Sequence, residues 1–312
     1  MSVGSEDMYR DMGRSIIDLV GRTPIVKLRK IVGDRSAEVY VKLEYYNPTG
    51  SHKDRIAIYM IREAELRGFI KPGDVVVEAS SGNTAISVAW ASSILGYRAE
   101  IFVEEQASPP KLKLIKSLGA KLIQVPSKPP NDPENYVAVA KKYAEEHGYF
   151  YLNQYANEAN VKAHYETTAV EIYDQLGDSV DVFVMGIGTC GTIAGVGRFL
   201  KEKISKKVRT VGVVPRNSPI VGGSKPDRIE GLAVDVVPDL WTRNREYVDE
   251  LVEVSYQDAL ETMKKLIVSE GILGGLSAGA NVYAALKVAE EIGRGTVVTL
   301  IPDTVLRYTH LI

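Results

Sequence analysis

The chain has 312 residues, 45% of them hydrophobic and 25% charged, with a formal net charge of −2. That length holds one large or two ordinary domains, and so balanced a charge offers nothing to nucleic acid or to an anionic membrane. The single cysteine, Cys190, excludes an intrachain disulfide framework, residues 1–14 lack the basic start and apolar core of a signal peptide, and no apolar run is long enough to span a bilayer, so a cytoplasmic protein is expected.

In chain order, residues 15–30 read as a short helix, the turn Gly21-Arg22-Thr23-Pro24 and a strand at 25–28; residues 37–43 alternate as a second strand. Next comes Asn47-Pro48-Thr49-Gly50-Ser51-His52-Lys53-Asp54-Arg55, a Pro/Gly turn with Ser51 as cap of a helix over 56–67. Lys53 falls in its first turn. There the positive end of the helix dipole and the cost of desolvation both lower an amine's pKa, as a Schiff-base lysine requires.

Lys71-Pro72-Gly73-Asp74 breaks that helix, and a β-branched strand at 75–79 runs into Ser80-Ser81-Gly82-Asn83-Thr84 and a helix over 85–95. Strands at 99–103 and 121–125 flank a helix at 109–118; a Pro-rich loop at 126–133 precedes a helix over 135–147 and an extended piece at 149–152. Residues 153–160 read as loop, 161–176 as a long amphipathic helix, and 180–185 as a buried strand leading to the glycine loop 186–192 and a helix to 203. Strands at 208–214, 247–254 and 295–301 alternate with a long loop at 215–231, a helix over 255–270 capped by Ser255, and a helix from Gly274-Gly275-Leu276-Ser277-Ala278-Gly279 to 292. Such alternation without regular hairpins predicts an α/β fold with mainly parallel twisted sheets flanked by helices. Ligands in such folds sit off the carboxyl ends of strands, where the loops at 80–84, 186–192 and 276–279 fall.

Gly186-Ile187-Gly188-Thr189-Cys190-Gly191 matches G-x-G-x-x-G between a strand and a helix, where free N–H groups bind phosphate. A dinucleotide fingerprint needs an acid at the end of the next strand, but that strand ends Val213-Val214-Pro215-Arg216, which favours a monophosphate cup with Thr189 and Thr192 adding hydroxyls. The 80–84 loop offers hydroxyls, an amide and free N–H groups to a carboxylate, unless Ser81 or Asn83 serves only as a cap. Ser277 is either a cap or a neutral partner for a heterocyclic nitrogen. An amine nucleophile, a phosphate cup, a carboxylate loop and a neutral partner together describe a pyridoxal-phosphate site.

These motifs, in this order, resemble the cysteine synthase (O-acetylserine/O-phosphoserine sulfhydrylase) and cystathionine β-synthase group of fold-type II pyridoxal-phosphate enzymes, over nearly the whole chain. Asn153-Gln154, Ala163-His164-Tyr165-Glu166-Thr167-Thr168 and the stretch from Glu270 to Ala280 extend the match. The resemblance implies a homodimer of two-domain subunits like tryptophan synthase β, divided into 44–153 and 1–43 plus 154–312. It implies that Lys53 forms the Schiff base and shuttles protons, that Asn83 bonds the cofactor's ring hydroxyl, that Gly188, Thr189, Cys190, Gly191 and Thr192 hold its phosphate, and that Ser277 bonds the pyridine nitrogen. Ser80, Ser81, Gly82, Thr84 and Gln154 would bind the amino acid. The implied reaction makes L-cysteine from an activated serine and sulfide through an aminoacrylate, with no metal.

Four departures from the family pattern stand out. Ser80 replaces a usual threonine and His52 a usual apolar residue; His52 is read as a structural histidine, with tuning of Lys53 through a pKa near the working pH as the alternative. Cys190 replaces a loop glycine; a positive φ there costs a side chain about 1 kcal/mol, and a low-pKa thiol at a helix N-terminus is reactive. The tail Pro302-Asp303-Thr304-Val305-Leu306-Arg307-Tyr308 lacks the expected glycine. Donor choice stays open: Arg228 or Arg216, with Lys225 beside them on the long loop, would suit a phosphate leaving group, and solvated loop charges are the plain alternative. Serine with homocysteine, a serine/threonine dehydratase and a non-catalytic paralogue are the competing functions.

Overall fold

The computed structural model describes residues 15–312, so the expectation on residues 1–14 lies outside the described residues. The elements in chain order are β1 (Ile25–Lys27), β2 (Glu38–Leu43), α1 (Lys53–Leu66), β3 (Val75–Ala79), α2 (Asn83–Leu95), β4 (Arg98–Glu104), α3 (Pro109–Ser117), β5 (Lys121–Val125), α4 (Tyr136–His147) and β6 (Phe150–Tyr151). There follow α5 (Glu158–Ala163), α6 (Ala169–Leu176), β7 (Val182–Gly186), α7 (Gly191–Lys203), β8 (Arg209–Pro215), α8 (Asp239–Asn244), β9 (Glu250–Val254), α9 (Tyr256–Lys265), α10 (Leu276–Ile292) and β10 (Thr296–Ile301).

Two sheets result: a six-stranded one ordered β1-β2-β10-β7-β8-β9 and a four-stranded one ordered β5-β4-β3-β6. All pairings are parallel except β1 with β2, an antiparallel edge that the alternation of strands and helices had not revealed. β10 lies between β2 and β7, with Val297 opposite both Val39 and Val182, so the second and the last strands of the chain are neighbours. All strands of the smaller sheet fall between residues 75 and 151.

Strand periodicity explains the layers. Val76, Ile101 and Val103 face Ile56, Met60 and Ile61 of α1 and Ile86 and Val88 of α2, while Val75, Val77 and Phe102 face Ala140 and Ala144 of α4. The larger sheet is covered by α9 and α10 on one face and by α7 on the other. Each fully buried Val or Ile contributes about 1.5–3 kcal/mol.

Boundaries moved where caps or backbone distortions intervened. Helix α1 starts at Lys53, three residues before the expected 56, and His52 rather than the expected Ser51 holds its cap position, although Ser51 Oγ accepts the Lys53 N–H at 3.3 Å. The helix expected over 161–176 starts at Glu158, capped by Asn157, and passes through a π-helical turn at His164–Thr168. Ser255 caps α9 as expected. The strand expected from 247 starts at Glu250, after a 3-10 turn at Arg245–Tyr247.

Candidate active site

The ends of β3 and β7 and the start of α10 open into one cavity of about 850 Å3. Lys53, Ser80, Ser81, Gly82, Asn83, Thr84, Gln154, Gly188, Thr189, Cys190, Thr192, Ser277 and Arg228 line it, together with His52. Gly191 stands behind the wall, while Arg216 and Lys225 are exposed elsewhere on the loop after β8.

Lys53 is set by what holds its helix. Arg55, fully buried, donates from Nε to Glu44 at 2.7 Å and from Nη1 to Glu171 at 2.6 Å, and buried Lys42 pairs with Glu171 at 2.8 Å. Removing one member would strand a buried charge, at a cost of about 3–5 kcal/mol. Asp54 accepts from Thr49 N–H at 2.7 Å and from the Ser87 hydroxyl at 2.6 Å, tying the Pro/Gly turn to α2. Burial then pushes the Lys53 amine down to about 8, with Asp303 opposing the shift.

The loop after β3 is free to meet a ligand. Neither Ser81 nor Asn83 caps α2; Gly82 holds that position and no side chain bonds there. Thr84 donates to Gln154 Oε1 at 2.6 Å, and the Gln154 N–H donates to Glu78 at 3.2 Å. Burial raises the Glu78 carboxyl to about 8.

At the loop after β7, the N–H groups of Gly188, Thr189, Cys190, Gly191 and Thr192 have no protein acceptor among the described residues, the usual condition of a helix N-terminus. Asn160 Nδ2 donates to Thr189 Oγ1 at 2.9 Å, and Thr192 Oγ1 lies 3.1 Å from His164 Nε2. A Cβ on Gly191 would overlap Asn160 Oδ1, and one on Gly188 would overlap the Gly231 carbonyl. Ser277 sits in the first turn of α10, where Gly275 is the cap; it is a largely buried residue that lines the cavity, and its hydroxyl has no partner among the described residues.

Two of the alternatives left open close on electrostatics. Cys190 has φ 76°, the left-handed backbone foreseen for this position, but burial pushes its thiol up to about 12, so it is no reactive thiolate. His52 does not titrate near neutrality: burial, then the charge of Lys53, hold its imidazole well below the ordinary range. Arg228 reaches the cavity mouth, where it is 69% exposed and paired with Asp235 at 3.3 Å.

Sequence reading missed Glu78, Asn160, His164 and Asp303 as parts of the site. Two left a signal: Glu78 is an acid inside a strand of valine and alanine, and Asp303 is an acid just past a strand end. Nothing in the local sequence distinguishes Asn160, and His164 stood only in a stretch that extends the family match; both meet the loop through the packing of α5 and the π-helical turn on α7.

The donor set fits pyridoxal phosphate: a desolvated lysine, the free N–H groups of Gly188, Thr189, Cys190 and Thr192 at a helix N-terminus and an unpartnered hydroxyl at the start of another helix share one cavity. The family model described as pyridoxal-phosphate dependent enzyme matches residues 16–303. A cysteine synthase of Staphylococcus aureus is 42% identical over 298 residues, covering 94% of each chain. An O-ureido-L-serine synthase of Streptomyces lavendulae is 40% identical over 94% of this chain and 90% of its own. The crystal structure of a cysteine synthase from Entamoeba histolytica superposes with a TM-score of 0.90 at 32% identity, covering 99% of this chain and 92% of that one. No helix among the described residues is long and apolar enough to cross a membrane. The chain belongs to the family of pyridoxal-phosphate dependent enzymes.

Proposed function

We propose that this enzyme makes L-cysteine by β-replacement, exchanging the acetate of O-acetylserine for sulfide. The observation that carries this reading is the convergence on one cavity of the Lys53 amine, its pKa lowered by burial to about 8, with the loop after β3 and the loop after β7. Bound there, pyridoxal phosphate supplies an electron sink for the pair left when the Cα proton departs.

The chain's own residues do the rest. Lys53 binds the cofactor through its amine, takes the Cα proton as general base and later returns it. Gly188, Thr189, Cys190, Gly191 and Thr192 hold the phosphate with N–H groups and hydroxyls. Asn83 donates to the ring hydroxyl, and Ser277, a neutral hydroxyl, meets the ring nitrogen without protonating it. Ser80, Ser81, Gly82, Thr84 and Gln154 take the substrate carboxylate and fix its Cα above Lys53. The Cβ–O bond breaks with its electron pair leaving on acetate, and sulfide forms the Cβ–S bond.

The wall supports a donor whose β-substituent is uncharged while attached: Arg228 is already paired with Asp235, Glu230 is paired with Lys111, and Glu104 adds negative charge nearby. We place the division between 44–153 and 1–43 plus 154–312, supported by strand membership of the two sheets; cytoplasmic location rests on the single cysteine and the composition of the chain, and homodimer formation on the family resemblance alone.

The test is the visible spectrum of the purified protein with pyridoxal phosphate, on adding O-acetylserine or O-phosphoserine, followed by sulfide. The expected result is a spectral change with O-acetylserine that sulfide reverses as cysteine appears. A response to O-phosphoserine alone would overturn the donor. Turnover of serine with homocysteine, or release of ammonia from serine or threonine, in place of cysteine formation would overturn the reaction.

A further inference from the structure

The segment after β10 runs through the site. Asp303 bridges to Ser51, Thr304 bridges to Gly274, and the His52 N–H donates to the Pro302 carbonyl at 2.9 Å, so the tail lies between the lysine turn and the start of α10. Asp303 is buried, and its Oδ2 accepts from Asn83 Nδ2 at 2.7 Å and from the Tyr308 hydroxyl at 2.5 Å. Arg307 donates to Asn83 Oδ1 and to the Thr49 carbonyl. Both ends of the Asn83 amide are therefore held by the tail.

A carboxylate facing one end and a guanidinium facing the other leave the amide a single orientation, nitrogen toward Asp303 and oxygen toward Arg307. An amide nitrogen carries two hydrogens. Asp303 takes one, and the other remains for a ligand in the cavity. Tyr308 is braced in turn: the Lys111 ammonium lies 5.0 Å from its ring centroid and pairs with Glu230.

We propose that Asp303 is a positioning residue for the cofactor: with Arg307, it locks the Asn83 amide so that one N–H is presented to the ring hydroxyl of pyridoxal phosphate. This rests on the functional reading above and adds the tail, through Asp303, Arg307 and Tyr308, to the machinery that aligns the ring.

The experiment is a double-mutant cycle on the cofactor-loaded protein, comparing wild type, D303A, N83A and the double variant. Two quantities are read: the rate of cofactor loss after dilution and the position of the visible absorption maximum. Asp303→Ala should speed loss about tenfold, the loss of one charge-assisted hydrogen bond, and shift the maximum; Asn83→Ala should do the same, and the double variant should be no worse than N83A. Additive effects, or a D303A spectrum and loss rate equal to wild type, would overturn the proposal. Should D303A not fold, Tyr308→Phe removes one donor to Asp303; its maximum should shift in the wild-type background and stay fixed beside N83A, and a spectrum unchanged from wild type would overturn the proposal equally. A wild-type chain that takes up no pyridoxal phosphate would overturn the functional reading itself, whereas additive variants in a wild type that binds it would sink only this inference.

Discussion

The two ends of the cavity are built by different rules. After β7 the backbone is packed until no atom can be added: Gly188 and Gly191 touch a carbonyl and an amide where a Cβ would be, and partners hold Thr189 and Thr192. After β3, a Cβ on Gly82 would meet nothing within 4 Å, and Ser81, Gly82 and Asn83 are all partly exposed. The first end is preformed and suits a resident group that is seldom released. The second has room, as a loop must have if it is to close on each amino acid and let its product go.

The largest effect should come from filling the packed end. Gly191→Ala puts a methyl group onto Asn160 Oδ1 in a buried place, an overpacking cost of about 1–3 kcal/mol that is paid by the loop itself. Retention of pyridoxal phosphate, measured by equilibrium dialysis, should fall about tenfold or more, with a lower melting temperature. Wild-type retention would show that the glycine is not needed for the cup.

Lys53 stands where the two ends meet, and its titration sharpens the contrast. A lowered pKa means that the neutral, nucleophilic amine accumulates at lower pH than in a free lysine. With the pKa about 8, roughly a tenth of the amine is neutral at pH 7, so capture of pyridoxal phosphate by cofactor-free protein should speed up about tenfold by pH 9 and then level off. Stopped-flow absorbance reads this directly. An unshifted lysine would instead give a rise of about a hundredfold with no plateau.

How much of this was legible in the sequence follows the same division. The β-branched runs at 75–79 and 182–186 and the loops after them announced the fold and the cofactor end, because strand periodicity and glycine placement are local properties. Lys53 was singled out by the turn around it, whereas Asn83 and Ser277 read locally as possible caps and took their roles only from the family resemblance. The antiparallel edge at β1, the roles of Asn160 and His164, and the tail's hold on Asn83 depend on contacts between distant positions that no local pattern encodes. Whether His52 titrates and whether Cys190 reacts could not be read locally for a related reason: desolvation is set by what the rest of the chain packs around them, and both are almost wholly buried.

The smallest effect should come from the open end. Gly82 has φ −113° and ψ −148°, outside the left-handed region, and its missing Cβ points into empty space. Gly82→Ala should therefore change stability by no more than about 1 kcal/mol and leave cofactor retention at the wild-type value. The added methyl group stands in the space where the amino acid's carboxylate is to be received, so KM for O-acetylserine should rise several-fold while the cofactor's own spectrum is unchanged. Dialysis and steady-state kinetics on the same preparation separate the two quantities. Loss of cofactor comparable to that of Gly191→Ala would mean that this loop, too, is part of the rigid cradle, and the contrast between the two ends would fall.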